Sequence, residues 1–386
     1  MCNYQNTSYG KVPLPDGISS RQIENVNGLD MHVLEARPDQ KKHPLIILLH
    51  GFPELAYSWR KTMIRLASQG FVVVAPDQRG FGRTSGWSNR YNDPIEPFNL
   101  LNLTRDIIHL VRSLGYTEVH TVIGHDSGSA VAGTCALARP DIFRSCIMMS
   151  APYSGTQTFE KGAYSKSKFS SLQKLEDSLS KLKDPRKHYQ IYFSSELANE
   201  DLTRAKDGIH QFLRAYYHFK SADWKGNDPF ELESWDAETI AQMPTYYIMN
   251  KNQTMPETVE PHLPTAREIE NCHWLPDEEL QVYATEYERN TFQGGLQWYR
   301  CMTSGLNQQS LSLFDGQKIK VPSLFIAGKK DWGIYQAPGA LEQMRTNVCT
   351  HMEDVILIEG AGHWVQQEQS ESVIESISYF LSQHRI

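Results

Sequence analysis

Three short stretches carry residue types able to do covalent chemistry together. VIGHDSGSAVAG (Val122 to Gly133) holds Asp126 between Gly124 and Gly128, GKKDWG holds Asp331, and GAGHW holds His363. A strand that turns sharply into a helix needs small residues two before and two after the residue at its apex, because the turn folds its own backbone against those positions. Asp126 meets that demand, whereas Ser127 would be flanked by His125 and Ser129. A glycine-bounded helix N-cap is the plainer reading of the same five residues. The partners favour chemistry: acid and histidine follow the nucleophile in chain order, each at the end of an apolar run, which is the order a triad of Asp126, Asp331 and His363 would take.

An aspartate at the apex restricts the reaction. A serine there attacks acyl carbon, but a carboxylate doing so would form a mixed anhydride and gain nothing. Asp126 is better suited to a saturated electrophilic carbon, leaving an alkyl ester on its own side chain. Water activated by His363 then attacks the carboxyl carbon of that ester and restores the aspartate. Asp331 orients His363 and stabilises its cation. The oxyanion of the second step needs backbone donors, and the N–H groups of Ser127 and of Phe52, in the HGFPE loop, are the expected pair. Each such donor is typically worth roughly 3 kcal/mol of barrier. The chemistry is therefore the opening of an epoxide or the displacement of a halide.

The elements that must hold these residues are readable from the apolar rhythm. RQIENVNGLDMHVLEAR predicts a hairpin turning at Asn27-Gly28. HPLIILLHG and FVVVAPD are short, continuous, branched runs, the pattern of strands buried on both faces of a parallel sheet. YSWRKTMIRLASQG between them has helical spacing and stops at Gly70. The alternation continues through LTRDIIHLVRSLGY, EVHTVIGHD and FRSCIMMSAP, so a doubly wound, mostly parallel α/β sheet is expected. It halts near Pro152 and resumes at VPSLFIAGKKD. We expect a core of residues 1–152 and 316–386, with residues 153–315 inserted as a mainly helical cap over the carboxyl ends of the strands. Within that insertion, SKSKFSSLQKLEDSLSKLKD and MPTYYIMNKNQTMPETVEPHLP read as solvated surface, with TYYIM able to line an entrance.

Composition sets outer limits. At 386 residues the chain exceeds one typical core, and 40% hydrophobic with 22% charged residues is ordinary for a globular enzyme. A net charge of -7 gives no reason to expect nucleic acid or an anionic membrane as partner. No apolar run is long enough to span a bilayer, and the first residues lack a signal-peptide core, so a cytoplasmic protein is expected. Six cysteines (Cys2, Cys135, Cys146, Cys272, Cys301, Cys349) form no CxxC pair and read as free thiols; neither a metal nor a cofactor is expected. A homodimer is compatible with the sequence.

HGFPELAYSWR, DQRGFGRTSG, GHDSG, FQGGLQWYR and GAGHWVQ together resemble the α/β-hydrolase-fold epoxide hydrolases, in order and over nearly the whole chain. The resemblance implies a small-molecule epoxide as substrate and a vicinal diol as product. It also implies two cap tyrosines that hold the epoxide oxygen, since an alkoxide leaves poorly unless a phenol bonds or protonates it. Local matches place them at Tyr189 in YQIYF and Tyr283 in EELQVY, with Trp332 beside Asp331 as a further substrate contact. Ser127 departs from the bulky aromatic common after the nucleophile in that family, which alters the pocket but spares the backbone donor. The competing readings are a haloalkane or haloacid dehalogenase, weakened by the lack of side-chain N–H donors at Phe52 and Ser127, and a non-catalytic receptor, which would not need all three triad members.

Overall fold

The computed structural model of the chain describes residue 9 and residues 13–157 and 168–384, so Cys2 and the start of the lysine- and serine-rich stretch lie outside the described residues. Ten strands follow one another among the described residues: β1 (Ile18–Val26), β2 (Leu29–Ala36), β3 (Leu45–Leu49), β4 (Val72–Pro76), β5 (Thr121–His125), β6 (Cys146–Met149), β7 (Arg186–His188), β8 (Ile248–Asn250), β9 (Ser323–Gly328) and β10 (Met352–Ile358). Eight form one sheet in the order β1-β2-β4-β3-β5-β6-β9-β10, and β7 pairs with β8 apart from it.

Sequence explains both kinds of pairing. Val26 faces Leu29 across Asn27 and Gly28, whose φ values of 52° and 80° are those of a tight hairpin turn that matches strand twist. From β4 through β3, β5, β6 and β9 to β10 the strands run parallel. Every residue of β3, β4, β5, β6 and β9 is buried, as expected for short, mostly apolar strands covered by helices on both faces. The helices Arg60–Ala67, Leu100–Ser113, Ser127–Ala138 and Ser370–Gln383 supply that cover. The architecture is the doubly wound, mostly parallel α/β sheet expected.

Among the described residues between β6 and β9, the regular elements are helices and the small β7/β8 sheet. Two stretches there depart from the expectation of solvated surface. Leu172, Leu175 and Leu179 of the helix Lys168–Leu179 are buried, giving it an inward apolar face at helical spacing. Tyr246, Tyr247, Ile248 and Met249 are buried as well, the last two within β8, which pairs with β7. Four parallel strands end on the residues singled out above: β3 leads into Phe52, β5 into Asp126, β9 into Asp331 and β10 into His363. Ligands of such sheets bind beyond these carboxyl ends.

Candidate active site

Asp126 sits between β5 and the helix Ser127–Ala138 with φ 53° and ψ −121°, a left-handed conformation that costs a side-chain-bearing residue energy. A Cβ on Gly124 would collide with the Gly128 carbonyl, which is why the apex is bounded by glycines. The strained turn lifts the carboxylate above the strand ends. Phe52 N–H donates to its Oδ1 at 3.1 Å. Ser127 opens the helix, so its N–H is one of the donors that a helix N-terminus leaves without an intrahelical acceptor; its hydroxyl is buried and has no partner among the described residues.

His363 and Asp331 come from two different loops and meet. His363 Nδ1 lies 3.1 Å from Asp331 Oδ1 and 3.2 Å from Oδ2, and Asp331 Oδ1 also accepts from Gly333 N–H at 2.7 Å. With Nδ1 carrying the proton, Nε2 is the basic nitrogen, and it lies 3.4 Å from Asp126 Oδ2 without an aligned hydrogen bond. The His363 backbone is fixed on both sides, its N–H donating to Lys220 O at 2.9 Å and its carbonyl taking His125 Nε2 at 2.7 Å and the Ser150 hydroxyl at 3.0 Å. Burial alone would raise the Asp126 carboxyl, but His363, Lys220 and His125 outweigh it and hold the group well below the usual carboxylate range. Asp331 is lowered in the same way, its burial outweighed by His363, Gly333 N–H and Lys220.

The two tyrosines chosen from local sequence part company. Tyr189 is buried, its hydroxyl donates to Gln336 Oε1 at 2.8 Å, and burial followed by the charge of Asp126 pushes its phenol up. Tyr283 is not brought to Asp126: its hydroxyl pairs with Ser58 Oγ at 2.8 Å and donates to Gln367 Oε1 at 3.2 Å, behind the HGFPE loop. Its helix, Asp277–Asn290, turns Tyr283 toward the rings of Tyr57 and Tyr217, at 5.9 and 5.5 Å. The next helix, Gln293–Thr303, supplies Tyr299 instead. Its ring lies 6.0 Å from that of Tyr189 and 5.4 Å from that of Phe52, and burial, Tyr189 and Asp126 all raise its phenol. No described residue bonds its hydroxyl. The signal was in FQGGLQWYR: a Cβ on Gly295 would lie 2.6 Å from Phe52 Cδ2, so the paired glycines let this helix lie against the oxyanion loop. Trp332 follows Asp331 and is buried, with its ring 5.0 Å from Phe230 and its indole N–H without a partner among the described residues.

Glu54 is a second residue that spacing did not single out. Its Oε2 takes His125 Nδ1 at 2.6 Å and Gly51 N–H at 3.1 Å, while Oε1 takes the side-chain amides of Gln366 and Gln367 at 2.9 and 3.0 Å. The buried pair of Glu54 and His125 thus ties the oxyanion loop to the residue before Asp126 and to the carbonyl of His363. Among the described residues, no group of three or more His, Cys, Asp or Glu side chains is placed to hold a metal ion, and no helix is long and apolar enough to cross a membrane.

This arrangement has relatives. Residues 44–369 match the family described as alpha/beta hydrolase fold. The chain is 30% identical to epoxide hydrolase A of Mycobacterium tuberculosis over 95% of its own length and 98% of that protein. Among solved structures, it is similar to an epoxide hydrolase from an endophytic Streptomyces (26% identity, TM-score 0.77, covering 95% of this chain and 96% of that one). It is also similar to potato (Solanum tuberosum) epoxide hydrolase I (27% identity, TM-score 0.71, 95% and 99%).

Proposed function

The chain belongs to the epoxide hydrolases of the α/β-hydrolase fold, and on that premise we propose that it opens a small-molecule epoxide to a vicinal diol through an ester on Asp126. The observation that carries this reading is the division of labour between the two oxygens of one carboxylate. Oδ1 is held by Phe52 N–H at 3.1 Å, and Oδ2 faces His363 Nε2 across 3.4 Å. Oδ2 attacks the less hindered ring carbon, the C–O bond of the epoxide breaks, and the departing oxygen takes a proton from a tyrosine. Tyr189 and Tyr299 are the pair for that task, in place of Tyr283, since the ring of Tyr299 lies beside Phe52, that of Tyr189 lies against Tyr299, and both phenols feel the charge of Asp126. Burial and the charge of Asp126 push both phenols up, so both carry their protons at neutral pH.

Water then adds to the Asp126 carboxyl carbon as His363 Nε2 takes its proton, Asp331 holding the imidazolium that results. The negative charge develops on Oδ1, where Phe52 N–H already points, with Ser127 N–H as the second donor. Residues 153–315 act as the cap that closes this site and carries both tyrosines, and Trp332 lines its floor beside Asp331. A cytoplasmic location belongs to the same reading, supported by the five described cysteines, all free.

The test is isotopic. In a single turnover in heavy-oxygen water, label should enter the Asp126 carboxylate, and Asp126→Ala should abolish turnover. Label found only in the diol, with none in Asp126, would mean that water attacks the epoxide directly.

A further inference from the structure

The helix Gly208–Lys220 ends beside the triad, and its last residue is a lysine that is 3% exposed. The backbone carbonyl of Lys220, one of those a helix terminus leaves free, accepts the N–H of His363 at 2.9 Å. The side chain does something different. Its Nζ lies 4.9 Å from the ring of Tyr247, 5.3 Å from Tyr216, 5.4 Å from Trp364 and 5.9 Å from Tyr246. It makes no ion pair or hydrogen bond with any described residue. A buried ammonium without a contact partner is expensive unless fields from elsewhere stabilise it, and aromatic faces at these distances contribute part of that.

The rest comes from the triad. Asp126 and Asp331 lie on the two sides of one imidazole, at 3.4 and 3.1 Å. For Asp126 to attack, both carboxylates must be ionised while the imidazole between them is neutral; once Asp126 is esterified, only Asp331 keeps its charge. Before alkylation, two like charges thus share a buried place, a state that favours taking up a proton. The other nearby acids do not add to that charge: Glu54 is matched by His125 at 2.6 Å, and burial pushes the Glu368 carboxyl up to about 8 despite the backbone N–H groups of Ala222, Gly362 and Trp364 that it accepts. The phenols of Tyr216, Tyr246 and Tyr247, pushed up by burial, are neutral.

The geometry points to Lys220 as a positioning residue of the triad: an ammonium held in an aromatic cage, acting as the counter-ion that keeps Asp126 and Asp331 both ionised around a neutral His363. This rests on the triad reading given above. The coupling is reciprocal, for Lys220 lowers both carboxyls, and Asp126, Asp331 and Glu54 each oppose the loss of its proton that burial favours.

The experiment is the pH profile of two single-turnover steps, alkylation of Asp126 by styrene oxide and hydrolysis of the ester, in wild type, Lys220→Gln, Lys220→Met and Lys220→Arg. Removing the charge should move the acid limb of alkylation upward by about one unit, the low end for a nearby opposite charge, and slow that step about tenfold below both midpoints, while hydrolysis, in which Asp126 is an uncharged ester, should shift less. Arginine should restore the wild-type limb. Should methionine prevent folding, glutamine carries the comparison. A wild-type profile in a folded, neutral variant, or equal shifts for glutamine and arginine, overturns the proposal. Those outcomes leave the triad reading intact as long as mass spectrometry finds Asp126 alkylated, whereas wild-type protein that never carries the ester defeats both.

Discussion

The rings of Tyr189 and Tyr299 meet edge to face with centroids 6.0 Å apart, and the ring of Phe52, whose N–H holds Asp126, lies 5.4 Å from Tyr299. Tyr283 stands outside this group, on Ser58 and Gln367. Either Tyr189→Phe or Tyr299→Phe should slow alkylation of Asp126 only in part, since one donor remains. The double variant should approach the full loss of a positioned acid, roughly 10²–10⁴-fold. Stopped-flow fluorescence or quenched-flow mass spectrometry of the ester gives the rate directly, and a double variant that alkylates at the wild-type rate would remove both tyrosines from the mechanism.

Tyr283→Phe is the counterpart. It leaves the Ser58 hydroxyl short of a buried partner, which should cost stability by about 1–2 kcal/mol, while Gln367 keeps Arg60 and Glu54. The alkylation rate should stay near wild type once folding is controlled for. Loss of alkylation at unchanged melting temperature would return Tyr283 to the reacting group.

Sequence and structure part at this point for a physical reason. The sheet was legible because strands buried on both faces run in short, unbroken apolar stretches, as LIILL in β3, VVVA in β4 and LFIA in β9 do. Asp126 was legible because its turn excludes side chains at Gly124 and Gly128. No comparable constraint marks a tyrosine on a helix. Tyr283 and Tyr299 occupy consecutive helices, and which one turns toward Asp126 depends on how those helices pack on the Phe52 loop. Lys220 was hidden more deeply: in YYHFKSADWK it looks like any helix-ending cation, and only the fold brings Trp364 and Tyr247 around it.

His363→Gln should separate the two half-reactions. Asp126 remains ionisable and Phe52 still donates, so the ester should form, but no base is left to activate water. Intact-protein mass should therefore rise by one substrate and persist. A folded variant that binds substrate yet never gains mass would show that His363 is needed for alkylation itself.

The last prediction concerns stability at low pH. Asp77 is buried and accepts from Tyr9 Oη at 2.6 Å, from His32 Nδ1 at 2.8 Å and from the N–H groups of Ala56 and Arg83 at 2.9 Å each. Burial would raise this carboxyl, but His32, His50 and the bonds it accepts hold it well below the ordinary range, as His363 and its neighbours do for Asp126 and Asp331. For groups whose native value is depressed, the unfolded chain binds the proton first. Their contribution is complete above the unfolded value of about 3.9 and is lost as pH falls through the native values. Melting temperature followed by calorimetry should thus be nearly level from neutrality to about pH 5 as far as these groups are concerned, then fall steeply below about pH 4. Asp77→Asn should lower the plateau, by roughly 3–5 kcal/mol for a broken buried pair, and make the acid fall shallower, because one of the three linked protons is gone. A variant that kept the wild-type slope while losing the plateau would mean that Asp77 is not among the groups protonated on acid unfolding.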